Sequence, residues 1–219
     1  MQTIYKDRPK CYKCYRPKSS CMCQYINPIQ TDTKFIILMH PKEFKKVKNN
    51  TGFFTHLTLK NSEVFIGIDF SDNVRINEII QTHNSYILFP SKDALDLSET
   101  DPTLQNKTDK PLAIFLIDST WMCTKKIFTL SNNLNKLQHL SFTTDRVSKY
   151  EIKEQPQANY LSTIESTLVV IEFLNNLNIE NVTQKELDGF LNPFFKMIEY
   201  QKKALSNIDI NSPRFKKKL

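Results

Sequence analysis

The stretch of residues 111–121, PLAIFLIDSTW, decides how the rest of the chain is read. Its apolar residues run from Leu112 to Ile117 without a break, the pattern of a strand covered on both faces, as in a parallel sheet. The run stops on a carboxylate, Asp118, followed by the hydroxyls of Ser119 and Thr120 and by the only tryptophan, Trp121. Asp, Ser and Thr are all preferred helix N-caps, so this turn can simply open a helix with Trp121 in its core. In open α/β sheets, however, ligand crevices lie outside the carboxyl ends of strands, and Asp118 stands at such an end. Local chemistry leaves both readings open.

Three other short apolar runs share the texture: KFIILMH from Lys34, EVFIGIDF from Glu63 and SYILFP from Ser85. Between them lie segments able to form helices, HPKEFKKVKNN, TGFFTHLTL and NVRINEIIQ. Strand and helix alternate, which predicts an α/β fold with a mostly parallel sheet and right-handed crossovers. Residues 91–110 are polar and acidic, a helical turn and surface loop of a length that suits an insertion or lid. The C-terminal third reads as helical. Ile164, Leu168, Ile171 and Leu174 share one face, and a second helix follows that Pro193 should interrupt or kink. Both helices open on a capping box, Ser162 with Glu165 and Thr183 with Glu186.

At 219 residues the chain accommodates one substantial domain with a small module attached. No apolar run approaches the ~18 residues of a membrane span, and the first ten residues carry charge without an apolar core. A soluble protein of the reducing cytoplasm is therefore expected, with no membrane partner; monomer or oligomer is left open. The net charge of +7 is uneven: residues 1–60 carry 12 Lys/Arg against 3 Asp/Glu, whereas residues 61–110 carry 4 against 9. Such asymmetry suits a polyanion whose counterions are released on binding, although Lys-rich composition alone can produce it. Gly52, Gly67 and Gly189 are the only glycines, which excludes every glycine-rich phosphate loop.

Residues 1–30 form a module of their own, rich in Cys, Lys, Tyr and Pro, ahead of a domain spanning 31–219. Within it Cys11, Cys14, Cys21 and Cys23 follow a C-x2-C-x6-C-x-C spacing. Two tight pairs of thiolates make a closed, structural Zn²⁺ site; iron–sulfur ligation and free or disulfide-bonded cysteines are the alternatives. Tyr12, Lys13, Tyr15, Arg16 and Lys18 are interleaved with them, where cations can meet phosphates and rings can stack on bases, or merely solvate a basic knuckle. His40 ends a strand-like run and precedes Pro41 and Glu43, so it reads as a loop residue at a helix start or as a functional one.

Taken in order, the paired cysteines, HPKE, NNTG, FPSKDA, DSTW and QPQANYLSTIES resemble the DTW-domain family, from about Cys11 to Glu172. One departure is Ser119, where many members carry glycine; it leaves the motif intact. The resemblance implies a SPOUT-related fold with a trefoil knot in its C-terminal part, and S-adenosylmethionine as co-substrate beside structural Zn²⁺. It implies transfer of the 3-amino-3-carboxypropyl group to N3 of a tRNA uridine, with release of methylthioadenosine. Asp118 would be the base or orient the uridine, Thr120 would hydrogen-bond cofactor or base, and Trp121 would pack the pocket. Pro90, Ser91 and Asp93 would line the cofactor cleft, with Leu161, Ser162, Thr163 and Glu165 opposite. Lys13, Arg16, Lys18, His40, Lys125 and Lys126 would face tRNA. His40, Glu43, Asn50 and Thr51 match a family motif whose role the sequence does not give. The rival readings are a SPOUT-like RNA methyltransferase and a non-catalytic, zinc-stapled RNA-binding protein.

Overall fold

The run that ends on Asp118 is a strand, and the sheet grows outward from it on both sides. The computed structural model describes residues 9–45, 50–99, 104, 109–152 and 160–206. The strands are β1 (Lys34–Met39), β2 (Ser62–Ile66), β3 (Asn84–Leu88), β4 (Leu95–Asp96), β5 (Leu112–Asp118) and β6 (Gln138–Ser141). They pair in parallel throughout, in the order β2-β1-β5-β3-β6-β4. The helices are α1 (Pro41–Lys45), α2 (Thr51–Thr58), α3 (Val74–Thr82), α4 (Trp121–Leu130), α5 (Thr163–Asn176), α6 (Gln184–Phe190) and α7 (Asn192–Ser206).

The unbroken apolar runs are explained by two cores, one on each face. Phe35, Ile37 and Met39 of β1 and Ile114 and Leu116 of β5 point to one face, under α2, α5, α6 and α7. Their neighbours Ile36, Leu38, Ala113 and Phe115 point to the other, where Ile76 and Ile79 of α3 and Ile127 of α4 cover them. Side chains alternate along a strand, so the series 114, 116, 118 delivers Asp118 to the first face at the carboxyl edge of the sheet. Asp118 sits in register with Met39, and its carbonyl accepts the amide of His40 at 3.1 Å.

Four strands match the expected ones; β4 and β6 are additions. β6 is the short, half-polar QHLS, and β4 is two residues inside the stretch read as helical turn and loop. Paired on one side only by β6, β4 is an edge strand and lacks the apolar continuity that betrays a central one. The expected face of α5 is buried, and so are Val169 and Val170, because the helix is enclosed by α2, β5 and α6. Both capping boxes form, and the last helical stretch breaks at Leu191 with Pro193 in the first turn of α7.

One buried carboxylate ties the helical layer to the sheet. Glu180 accepts the amides of Asp32 and Thr33 just ahead of β1, at 3.0 and 2.5 Å. Glu180→Ala strands both amides and is expected to cost about 2–6 kcal/mol, at ~1–3 kcal/mol for each unsatisfied group, read as a lower denaturant midpoint at unchanged m-value.

Candidate active site

Capping at the end of β5 falls to Thr120, not to Asp118. Thr120 is the N-cap of α4, its Oγ1 accepting the Cys123 amide at 3.4 Å, and the Ser119 hydroxyl pairs with Thr124 at 2.6 Å. Asp118, 8% exposed, turns instead across the sheet edge, where its Oδ1 accepts the Thr163 hydroxyl at 2.7 Å from the first residue of α5. Its other oxygen lies against the first turn of α2. A β-carbon placed on Gly52 would fall 2.5 Å from Oδ2, 2.6 Å from Cγ and 2.9 Å from Cβ of Asp118. The absence of a side chain at Gly52 is what lets this carboxylate approach the positive end of a helix, a setting that suits negative charge.

That turn of α2 is itself held firmly. Asn50 caps it, Oδ1 accepting the Phe53 amide at 2.7 Å, while its Nδ2 donates to the Glu43 carbonyl at 3.1 Å. His40 Nδ1 accepts the Lys42 amide at 3.1 Å and so closes the turn that starts α1. The motif without a role in the sequence is thus the scaffold of the Asp118 seat, with Glu43 and Thr51 on its cleft side. Gly52→Ala drives backbone-borne carbon into the stem of a short, buried side chain. It is expected to destabilise by about 1–3 kcal/mol, or roughly 2–12 °C in Tm by thermal melting.

Asp118 opens into a cleft of about 590 Å³, within the ~300–1,000 Å³ range of small-molecule sites. Leu88, Phe89 and Pro90, at the end of β3, line one side, and Leu161, Ser162 and Thr163 line another. Trp121 walls the mouth, 43% exposed, in ring contact with Tyr160 at 5.4 Å and Phe89 at 5.9 Å. Thr143, Thr144 and Tyr150, from the irregular stretch after β6, complete the lining. Tyr150 is 3% exposed, and its phenol is pushed up first by burial and then by the Asp118 charge.

Of the expected site residues, Asp118, Thr120, Trp121, Pro90, Leu161, Ser162 and Thr163 come together in this cleft. Ser91, Asp93 and Glu165 do not. Ser91 Oγ pairs with His139 Nδ1 at 2.9 Å on the surface, and the Asp93 carbonyl accepts Gln138 Nε2 at 2.6 Å. The Glu165 carboxylate is buried and spent on Ser148 Oγ, the Lys149 amide and the Ser162 amide and hydroxyl, at 2.6–2.9 Å. Tyr150 and Tyr160 went unread in the sequence because their stretches carry no periodicity. Residues 155–159 of the QPQANYLSTIES motif and 100–103 and 105–108 of the stretch read as an insertion or lid lie outside the described residues.

The four N-terminal cysteines converge as expected. All four Sγ atoms lie within 4.8 Å of one another, with Cys11–Cys23 and Cys14–Cys21 at 3.7 Å. A tetrahedron of ~2.3 Å Zn–S bonds has edges of about 3.8 Å, whereas a disulfide requires ~2.0 Å. The donor set fits one Zn²⁺ with no open position, a structural site. An iron–sulfur cluster interposes sulfide between its irons and would hold the thiolates further apart. A backbone hydrogen bond from Cys14 pulls the Cys11 thiol down to about 6, while burial pushes Cys14 and Cys23 up.

Two residues expected to face RNA are buried instead. Arg16 is 2% exposed, its guanidinium 5.0 Å over the Phe54 ring of α2, and His40 is 4% exposed in the α1 turn. Tyr15 stays 47% exposed, but a left-handed backbone (φ 55°) lays its ring edge-on to Phe53 and Phe44, at 5.3 and 6.0 Å. The knuckle therefore docks on α1 and α2 through Tyr15 and Arg16 and leaves Tyr12, Lys13 and Lys18 outward. Lys125 and Lys126 are exposed on α4, one turn beyond Trp121. Among the described residues no helix is long and apolar enough to cross a membrane.

Residues 8–202 match the DTW domain family. The chain is 30% identical over 176 residues to tRNA-uridine aminocarboxypropyltransferase 2 of Mus musculus, covering 78% of this chain and 58% of that protein. It is 29% identical over 178 residues to the protein of that name in Macaca fascicularis, covering 79% of this chain and 59% of that protein. The Drosophila melanogaster protein of that name is 30% identical over 175 residues, 75% of this chain and 67% of its own. The chain thus spans less than two thirds of the mouse and macaque proteins. No solved structure matches it.

Proposed function

Because the chain belongs to the DTW domain family, we propose that it is a tRNA-modifying transferase that moves the 3-amino-3-carboxypropyl group of S-adenosylmethionine to N3 of a uridine. Bound S-adenosylmethionine supplies a carbon activated by its sulfonium, with methylthioadenosine as the leaving group. The protein's part is proton chemistry and placement. Uridine N3–H loses its proton to the Asp118 carboxylate, N3 forms the new bond to carbon, and the carbon–sulfur electron pair leaves with methylthioadenosine. A base held in place contributes ~10²–10⁴ in rate. Thr163 and the Gly52 turn hold Asp118, and the Trp121–Tyr160 pair offers faces for a base.

The observation that carries this reading is the buried Asp118 carboxylate, seated between two helix N-termini, at the floor of a cleft with no glycine-rich phosphate loop. Lys13 and Lys18 on the knuckle and Lys125 and Lys126 on α4 are the phosphate contacts of the reading; Arg16 and His40 are not. The SPOUT relation and its trefoil knot are proposed with it on the family resemblance, and an experimental trace of the whole backbone decides them. The functional test is to incubate the purified protein with unmodified tRNA and S-adenosylmethionine and to weigh the nucleosides. An aminocarboxypropyluridine supports the proposal; a methylated nucleoside, or no adduct, overturns it.

A further inference from the structure

We infer that Tyr150 is a second catalytic residue, donating its hydroxyl to a uracil carbonyl oxygen opposite Asp118, and that Glu165 is the positioning residue that seats it. The inference rests on the functional reading above and deepens it. Loss of the N3 proton leaves a uracil anion whose charge spreads onto O2 and O4. A base alone leaves that charge unanswered, and a fixed neutral donor in a dry site answers it. Tyr150 lines the same cleft as Asp118, is nearly fully buried, and lies within electrostatic reach of that carboxylate. Burial and the neighbouring negative charge both keep the phenol protonated, which is the form that donates.

The chain around Tyr150 has no regular structure to hold it, since residues 142–150 form neither helix nor strand. The hold comes from α5. Glu165 takes Ser148 Oγ at 2.9 Å and the Lys149 amide at 2.7 Å, and Ser148 Oγ in turn accepts the Tyr150 amide at 3.1 Å. On its far side the Tyr150 ring packs edge-on to Phe194, at 5.3 Å. The same carboxylate caps α5 through Ser162, one residue from Thr163, the donor to Asp118. One buried acid therefore sets the spacing between the two groups that would face the uracil.

The test compares wild type, Tyr150→Phe, Glu165→Gln and the double variant under saturating tRNA, with S-adenosylmethionine affinity measured separately by calorimetry. Phenylalanine keeps the packing on Phe194 and removes only the hydroxyl. Tyr150→Phe is expected to lower kcat about 10²-fold, the low end of losing one oxyanion donor, with donor affinity unchanged. If Glu165 acts through Tyr150, Glu165→Gln lowers kcat as well, and the double variant is no slower than Tyr150→Phe. Should Glu165→Gln not fold, Ser148→Ala breaks the same clamp and takes its place. Wild-type kcat in Tyr150→Phe, a loss confined to donor affinity, or additive losses in the double variant overturn the inference. An inactive wild type overturns the functional reading and the inference with it.

Discussion

Asp118→Asn is expected to slow aminocarboxypropyl transfer by about 10²–10⁴-fold, the usual worth of a positioned general base, while tRNA and S-adenosylmethionine binding stay near wild type. Asparagine is the informative substitution because the seat is tight. It matches aspartate in shape, keeps an oxygen to accept the Thr163 hydroxyl, and fits the notch left by Gly52. What it loses is the ability to take a proton. Alanine would empty a buried niche and mix a packing loss with the chemical one. Single-turnover formation of the modified nucleoside, followed by mass, separates the chemical step from binding. A rate within a few-fold of wild type removes Asp118 from proton transfer. Gly52→Ala, which moves the same carboxylate without altering its chemistry, is expected to lower the rate in the same direction.

The second large effect is in the cysteine knuckle. Freshly reduced protein is expected to carry about one Zn²⁺ per chain, and Cys14→Ser to carry none, because a closed four-thiolate site does not tolerate loss of a ligand. The consequence reaches beyond the metal. Tyr15 and Arg16 are docked on α1 and α2, and Met22 is buried in the main core. Releasing them forfeits ~2 kcal/mol for a desolvated cation–π pair and about 2 kcal/mol for a buried methionine. The total of about 4 kcal/mol corresponds to roughly 8–16 °C in Tm for a chain of this size. Metal analysis with melting of both proteins checks it. Metal-free wild type that melts no lower with a chelator present would return the cysteines to a role without metal.

Much of the architecture was readable because its signals are local. Apolar continuity in PLAIFLID and KFIILMH marks strands sandwiched between two layers, and both helices with a serine or threonine three residues before glutamate begin where those residues say. β4 and β6 were not readable: a two-residue edge strand and a half-polar QHLS carry too few side chains for a pattern. The same limit applied to the site. Thr120, Trp121 and Ser162 line the cleft, whereas Glu165 sits at a helix start as foreseen but turns its carboxylate away from it.

By itself, then, the sequence determined the parallel α/β sheet, the four-cysteine cluster and a carboxylate at the end of the central strand. These follow from periodicity, spacing and cap chemistry within a few residues of each position. Only the tertiary structure decided which groups the cleft contains. Arg16 and His40 turned inward, Tyr150 entered through an irregular segment clamped by a glutamate fifteen residues on, and Gly52 acquired its purpose from Asp118, sixty-six residues away. Exposure and orientation depend on what another element packs against a side chain, and no local pattern encodes that.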